Sequence, residues 1–325
     1  MTLLKDTRKF NISLLVTAVI LFLLGLWVND PFRWKVVTYK ESPLLIKNVS
    51  VNDISEVLIE KGKEKINLKK ENAVWYVSSE NTKYRADTNR ISKNLSEILE
   101  IHRYQKVTSS KEKHKDYEVA TPKEGEELKA LRITAKDNKG KTLFTIYLGK
   151  QGATYNSTLV RLEGEDAVYS AKGALRNNWK IDVDFYRDKQ LLNLVAANVK
   201  EITVTGKKTL KLRRNDKQKW EVFSAGWKEA NQDKVNNLLK DFLTLQGTKF
   251  IKEAVRDPFF VKVNIALVSG NTETVMVRGP GKENNYIVQT TYTPYWMSVP
   301  SYRIDNFLNK PEDLLPPKQS KPNKK

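Results

Sequence analysis

The sequence predicts an α+β protein in which one N-terminal transmembrane helix precedes two tandem repeats, each a mostly antiparallel β-sheet with an amphipathic helix. Three patterns support this prediction. An uncharged apolar run occupies Ile12–Val28. Two stretches, Ile54–Ile101 and Val199–Leu245, carry the same order of apolar positions. In each stretch the apolar residues first alternate at period two, as in half-buried strands, and then step by three and four, as in a helix.

The N-terminal run is long enough to serve as a membrane anchor. Its 17 residues would rise roughly 26 Å as a helix, close to the thickness of a hydrocarbon core. Basic residues precede it, which favours a cytoplasmic N-terminus. We therefore predict a cytoplasmic stub at 1–11, an anchor in a bacterial inner membrane at 12–28, and a periplasmic or other extracytoplasmic location for the rest. A cleaved signal peptide is the alternative, although LWVNDPFRW offers no small-residue cleavage pattern.

Each repeat begins with three predicted strands, the third of which contains a tryptophan. Trp75 and Trp220 occupy equivalent positions, and we expect both indoles in sheet cores with their N–H groups on carbonyl oxygens. The other matched inward positions are Val57 and Ile59 with Ile202 and Val204, Ile66 and Leu68 with Leu210 and Leu212, and Val77 with Val222.

The predicted helix of each repeat follows these strands. Asp87 and Asp233 stand just before the helices, where a carboxylate accepts from unpaired amides and favours the positive end of the helix dipole. The apolar faces are Ile91, Leu95, Ile98 and Leu99 in the first copy and Val235, Leu239, Phe242 and Leu243 in the second.

Four further strands and a short aromatic helix complete each predicted repeat. We place a connector at 29–48, the first repeat at 49–190, the second at 195–310, and a disordered Pro/Lys-rich tail at 311–325. The charged stretch His102–Leu128 is predicted as a long exposed loop of the first repeat.

Composition argues against an enzyme. The chain has two His and no Cys, so thiolate chemistry, disulfides and His-rich metal sites are excluded or disfavoured. No serine lies in a Gly-x-Ser-x-Gly turn, and no phosphate-binding glycine loop occurs. The run that contains Asp182, Asp184, Arg187 and Asp188 is interpreted as ion pairs and helix caps. We accordingly predict no catalytic residue, no cofactor and no metal.

A net charge of +19 raises the question of an anionic partner. Lysines are scattered along the chain without a nucleic-acid-binding motif, which favours either an ordinary solvated surface or attraction to lipid headgroups and acidic polymers. The candidate contact for such anions is Arg213, Arg214 and Lys217.

A second candidate contact is aromatic. The segment TTYTPYWMSVP could present its rings to a protein partner, because Tyr and Trp concentrate at interfaces, or could turn them into the core of the second repeat. Its candidate contact residues are Tyr292, Tyr295 and Trp296.

The ordered segments ENAVWYV, IYLGK, DAVYSA and FYRDKQLL resemble the bacterial domain-of-unknown-function family 4340. The resemblance covers about residues 49–250 well and the rest of the second repeat more loosely. It implies a membrane-anchored extracytoplasmic protein, of a kind often encoded beside a gliding-type ABC transporter. It carries no established activity.

Two functional hypotheses follow. The first is a non-enzymatic scaffold or accessory subunit that works with the permease or auxiliary subunit of an ABC-type transporter, or with an envelope complex. The alternative is a binding module for an anionic envelope polymer or lipid. An envelope hydrolase finds no support in the sequence, because no cluster of carboxylates is evident.

Overall fold

The computed structural model describes most of the chain. The described residues are 3–29, 41–79, 82–122, 127–206, 209–252, 259–280, 284–305 and 310–317; for 3–9, 25–29, 79 and 259 only the backbone is described. Residues 1–2 of the predicted stub, 30–40 of the connector and 318–325 of the tail lie outside the described residues.

Helix α1 spans Leu3–Asn29. Its large apolar side chains from Phe10 to Leu24 are exposed, by 48% at Val19 and by 67% at Phe22. Over the described residues, no helix is both long and apolar enough to cross a membrane. A helix therefore occupies the predicted position, but the span predicted at Ile12–Val28 is not supported by the described part of it.

The first sheet has nine antiparallel strands in the order β4-β3-β2-β1-β6-β7-β8-β9-β5. Its strands are β1 Glu56–Lys61, β2 Glu64–Glu71, β3 Val74–Ser79, β4 Thr82–Arg85, β5 Lys106–Thr108, β6 Leu131–Lys136, β7 Thr142–Gln151, β8 Ser157–Leu162 and β9 Val168–Lys172.

The second sheet repeats that order strand for strand, as β13-β12-β11-β10-β15-β16-β17-β18-β14. The predicted duplication of an α+β unit is thereby confirmed. Its strands are β10 Val199–Thr205, β11 Leu210–Arg214, β12 Trp220–Phe223, β13 Trp227–Glu229, β14 Lys249–Phe250, β15 Phe259–Leu267, β16 Thr272–Arg278, β17 Asn285–Thr290 and β18 Met297–Pro300.

The two sheets also share their central pairing. Ile59 on β1 lies opposite Ile133 on β6, and Ile202 on β10 lies opposite Ile265 on β15. All four residues are completely buried, as the period-two patterns predicted. In each sheet, one strand of this central pair precedes the long helix of the repeat in the sequence, and the other strand follows it.

The helices are α2 Thr88–Leu99 and α5 Gln232–Phe242, together with the short α3 Leu175–Asn178, α4 Val183–Tyr186 and α6 Ser301–Asp305. Both longer helices bury the predicted apolar face against their core, with Ile91 and Leu95 of α2 and Val235 and Leu239 of α5 fully buried. Single 3₁₀ turns lie at Val51–Asp53, Lys111–His114, Ala196–Asn198 and Pro311–Leu314.

The chain divides into two compact units. The first contains 1–67 and 92–181, and the second contains 68–91 and 182–325. The second unit thus includes β3 and β4 as well as the whole second sheet. One core cluster of this unit is built on Trp220, the apolar face of α5 and the inward residues of β10, β11, β15 and β16.

Two segments are more ordered than the sequence suggested. The stretch 102–128, predicted as an exposed loop, contains edge strand β5 and the completely buried Val119. Arg161 donates from Nε to the Val119 carbonyl at 2.7 Å and thereby holds this stretch in the first unit. The predicted disordered tail contains a 3₁₀ turn whose Leu314 is 3% exposed.

Candidate functional site

Arg187 lies at the centre of a group of charged and aromatic side chains in the second unit. Helix α4 positions it: Asp182 caps the helix by accepting from the Asp184 amide at 3.0 Å, and the Arg187 amide donates to the Val183 carbonyl at 3.1 Å. The arginine is 7% exposed although it ends a helix of only four residues.

Three aromatic rings surround the Arg187 guanidinium. Its carbon lies 3.4 Å from the ring centre of Phe250, 4.1 Å from that of Tyr84 and 4.5 Å from that of Tyr295. A planar guanidinium can stack on such rings, and partial exclusion of water strengthens the attraction. We call Arg187, Asp184, Tyr84, Phe250 and Tyr295 the Arg187 cluster.

Asp184 supplies the counter-charge of the cluster. Arg187 Nη1 donates to Asp184 Oδ1 at 2.9 Å, and Lys252 Nζ lies 3.4 Å from Oδ2. Burial acts to raise the pKa of Asp184, but the hydrogen bond from Arg187 and the charges of Arg187 and Lys252 hold that pKa below its ordinary value. The carboxylate is therefore ionised and already bonded.

Asp188 follows Arg187 and faces different partners. Its Oδ2 lies 3.3 Å from Arg85 Nε, and its Oδ1 accepts from the Gln190 amide at 2.9 Å. Burial raises the pKa of Asp188; the Gln190 amide and Arg85 oppose this shift, and the nearby Asp87 charge adds to it.

The backbone beside Arg187 completes the edge of β4. Ala86 and Arg187 form an isolated antiparallel bridge. Its two hydrogen bonds run from the Asp87 amide to the Tyr186 carbonyl at 2.8 Å and from the Asp188 amide to the Arg85 carbonyl at 2.9 Å. The predicted ion-pair and cap segment is thus also an added stretch of strand that covers β4.

The three predicted aromatic contact residues have different environments. Tyr295 belongs to the Arg187 cluster and is 37% exposed. Tyr292 lies near Arg85, with 5.6 Å between ring centre and guanidinium carbon, and Trp296 lies near Arg278 at 5.3 Å. Both are half-buried. The segment therefore divides its aromatics between internal contacts and a partly exposed surface.

The predicted anion-contact residues are likewise not equivalent. Arg214 stacks on Trp220 at 4.4 Å and donates to the carbonyls of Val199, Gln218 and Ala196, so its guanidinium is used within the fold. Arg213 donates to Glu221 Oε2 at 2.8 Å and stacks on Trp227 at 4.2 Å. Lys217 lies exposed in the turn between β11 and β12.

The two equivalent tryptophans occupy the expected core positions. Trp75 and Trp220 are each 1% exposed. We expected the Trp220 indole N–H to donate to a carbonyl oxygen. This expectation is wrong, because Trp220 Nε1 is buried without a hydrogen-bond partner among the described residues. The Arg214 guanidinium covers the ring of Trp220.

One predicted cap needs correction. Asp87 precedes α2, and its Oδ1 accepts from the Arg90 amide at 3.0 Å. In the second repeat Asn231 occupies the cap and accepts from the Lys234 amide at 3.1 Å, whereas Asp233 lies inside the first turn of α5. The second helix begins two residues earlier than the aspartate pairing suggested, since Asn is as good a cap as Asp.

Sequence reasoning missed Phe223 and Trp227. Phe223 is 44% exposed on β12, and its ring centre lies 5.4 Å from that of Trp227 on β13. Lys211 Nζ lies 5.9 Å from the Phe223 ring centre. The available signal was that Phe223 falls on the outward register of a strand whose inward residues are Trp220 and Val222.

These hydrogen bonds, ion pairs and ring contacts hold the side chains of the Arg187 cluster in place. No group of three or more His, Asp or Glu side chains within the described ranges is placed to hold a metal ion. Of the two histidines, His102 Nδ1 lies 2.5 Å from the Ser42 carbonyl oxygen, and His114 Nε2 lies 2.8 Å from that of Asp166.

The duplicated architecture and the site geometry can be set beside known protein families. The fold and the Arg187 cluster define a tandem α+β repeat protein whose first repeat is closed by the segment leading into the second. The chain belongs to the family described as a domain of unknown function, DUF4340, whose model matches residues 75–259, more than half of the chain. No curated protein and no solved structure matches it significantly.

Proposed function

We propose that the protein is a membrane-anchored extracytoplasmic scaffold that works as an accessory subunit of an ABC-type transporter or envelope complex. In this proposal α1 attaches the chain to the bacterial inner membrane, with the N-terminus cytoplasmic, and the two repeats bind partner proteins. The resemblance to a family of membrane-anchored proteins encoded beside such transporters motivates the class of partner.

The observation that carries the proposal is the apolar surface of α1. Side chains such as Phe10, Leu15 and Phe22 are exposed by more than half, and no charged residue lies between Phe10 and Leu24. Each Å² of apolar surface in water costs about 25 cal/mol, so such a helix gains free energy from an apolar environment. A bilayer, or the apolar helices of a membrane partner, would supply one.

The Arg187 cluster supports the scaffold part of the proposal. Arg187 and Asp184 are paired with each other and with neighbouring groups. Charged groups that pair with each other inside the fold stabilise the folded conformation and are less available to act on a substrate. Attachment to a membrane also raises the effective concentration of a tethered partner, so a modest interface would suffice.

Fractionation of cells that produce variants of α1 tests the proposal. Removing residues 1–28 should move the protein from the membrane to the soluble fraction and should end co-purification of permease or ATPase subunits from detergent extracts. As a matched control, replacing Ile12–Val28 with an unrelated apolar membrane-spanning helix should restore both. Sidedness is read by protease added to spheroplasts, which should cleave the repeats without lysis.

A truncated chain that still co-purifies with transporter subunits, or a wild-type chain that brings down no transporter or envelope subunit, would contradict this function.

The alternative function, binding of an anionic polymer or lipid, is favoured by the exposed lysines of the β11–β12 hairpin, Lys211 and Lys217. It predicts salt-sensitive binding to phosphatidylglycerol vesicles that the double change Lys211→Gln and Lys217→Gln weakens several-fold. Arg214→Gln is the informative comparison, because Arg214 is bonded inside the fold and its loss should lower stability instead. Equal binding at low and high salt would exclude this function.

A further inference from the structure

Strand β13 leaves one edge of the second sheet open. It is the last strand in the sheet order, beyond β12. Lys228 lies opposite Val222, and the Ala230 amide donates to the Trp220 carbonyl at 2.9 Å. Because successive residues of an antiparallel strand direct their amide and carbonyl groups to alternate sides, those of Trp227 and Glu229 point away from β12. In the part of the chain that the structure describes, no strand pairs with them.

The equivalent edge of the first repeat shows what such an edge binds. There an extended segment at Arg187–Asp188 covers β4 through two hydrogen bonds, Asp87 amide to Tyr186 carbonyl and Asp188 amide to Arg85 carbonyl. The second repeat reproduces the first of these bonds, from the Asn231 amide to the Leu314 carbonyl at 2.7 Å. Leu314 therefore corresponds to Tyr186, and Pro316, two residues on, corresponds to Asp188.

Pro316 prevents the second bond. Proline has no amide hydrogen, so residue 316 cannot donate to the Glu229 carbonyl as Asp188 donates to Arg85. Pro317 follows and has no donor either. The second hydrogen bond of the first repeat therefore has no counterpart in the second.

Two aromatic side chains and an arginine lie beside this open edge. Phe223 and Trp227 form an edge-to-face pair, and Arg213 lies on the Trp227 ring. Counted from the equivalent tryptophans Trp75 and Trp220, the first repeat has Ser78 where the second has Phe223. Phe223 is 44% exposed and Trp227 is half-buried, and both lie next to the unpaired backbone groups of β13. Aromatic side chains concentrate at binding surfaces.

We propose that the outer edge of β13, with Phe223, Trp227 and Arg213, is a docking site for an extended acidic segment of a partner protein, which adds to the sheet as a further strand. This mode of recognition uses backbone hydrogen bonds for affinity and flanking pockets for specificity. The inference rests on the proposed scaffold function and specifies where one partner binds.

The positive charge of this surface favours an acidic partner segment over the chain's own C-terminal residues and over a second copy of the chain. The segment from β11 to β13 has an excess of basic residues, six against three acidic ones: Lys211, Arg213, Arg214, Lys217, Lys219 and Lys228 against Asp216, Glu221 and Glu229. Arg213 pairs with Glu221 and Lys219 with Glu229, so the excess is carried by the other basic residues. The chain's own C-terminal residues, KQSKPNKK, are basic, and a second copy would bring the same positive edge. Like charges in such contacts are unfavourable, whereas acidic residues are complementary to the surface.

The test selects a random heptapeptide library, displayed on phage, against the purified full chain in detergent. We expect enrichment of acidic peptides rich in β-branched residues. By fluorescence anisotropy, an enriched peptide should bind Phe223→Ser at least about tenfold more weakly than the wild type. Glu229→Pro, which removes an edge amide without removing a bond to β12, should have a similar effect. Ser78→Ala at the equivalent position of the first repeat should bind like the wild type.

Each outcome decides between occupants. Circular dichroism and the midpoint of urea unfolding establish that each variant is folded. If the Glu229→Pro variant does not fold, the binding result for the Phe223→Ser variant alone tests the inference. No acidic enrichment, or binding unaffected by Phe223→Ser, overturns the inference. The inference is also overturned if phosphatidylglycerol vesicles displace the peptide from the same site. It is likewise overturned if the chain forms a concentration-dependent dimer that the Phe223→Ser change abolishes. If the Phe223→Ser change does not weaken peptide binding while the wild-type chain still co-purifies with transporter subunits, the scaffold function stands and only this docking site is refuted.

Discussion

Arg187 shows how one buried charge can be held without an isolated desolvation cost. Its guanidinium donates to Asp184 and lies within 4.5 Å of the centres of three aromatic rings, so the charge has partners although it is buried. By contrast, the side chain of Arg213 is 42% exposed beside Glu221, where water screens the pair. The same residue type therefore contributes differently to stability at the two positions.

Replacing Arg187 should be costly. In Arg187→Met the volume is nearly kept, but Asp184 loses its main partner and the rings lose the cation, so we expect a loss of about 2–4 kcal/mol of unfolding free energy. Arg213→Met should cost less than about 1 kcal/mol. Urea unfolding of both variants measures the difference. Equal losses would show that the Arg187 cluster does not stabilise the fold beyond a surface pair.

Asp184 and Asp188 should impose opposite pH dependences. Asp184 has a pKa below its ordinary 3.8 in the folded chain, so its contribution is present above 3.8 and is lost as pH falls through the lowered pKa. Asp188 has a raised pKa, so its contribution is present below 3.8 and is lost as pH rises through that raised pKa.

The corresponding measurement compares Asp184→Asn and Asp188→Asn between about pH 3 and pH 7. Relative to the wild type, Asp184→Asn should become less stable as pH rises, whereas Asp188→Asn should become more stable over the same range. Parallel curves for the two variants would show that the environments of the two carboxylates do not differ as described.

At the scale of elements, strands whose inward apolar residues alternate at period two were predictable, and short edge strands were not. The inward positions of β1, β2 and β3 and of β10, β11 and β12 follow from period two in the sequence. Strands β4, β5, β13 and β14 have two to four residues, too few for any periodicity, and they exist because a neighbouring strand offers unpaired backbone groups.

Helix caps give an element-scale prediction. Asp87→Ala and Asn231→Ala should each lower stability by about 1 kcal/mol, because each removes the acceptor for an amide of the first turn. Asp233→Ala should cost less than about 0.5 kcal/mol, since only its interaction with the helix dipole is lost. Thermal or urea unfolding ranks the three, and a larger cost at Asp233 than at Asn231 would reverse the cap assignment.

At the scale of the whole molecule, each copy of the repeat is closed by the segment that follows it. The first repeat uses Tyr186 and the residues after it, and the second uses Leu314, whose carbonyl accepts from Asn231. The end of the chain therefore belongs to the fold up to Leu314.

Two truncations test that conclusion. Ending the chain after Pro317 should leave the unfolding midpoint unchanged, whereas ending it after Lys310 removes the buried Leu314 and the Asn231 bond and should cost about 2–4 kcal/mol. Comparable stability of the two truncated chains would mean that residues 311–317 are not part of the folded unit.

The sequence by itself determined the duplication, the α+β class, the inward faces and the family, because each depends on periodicity or on residue order within a short window. It also predicted that the run with Asp182, Asp184, Arg187 and Asp188 would form ion pairs and helix caps. Only the tertiary structure decided which residues surround Arg187, that Arg214 is used internally, and that Phe223 and Trp227 stand at an open edge. Those features depend on residues distant in the chain, whose contacts are fixed by strand order and not by local pattern.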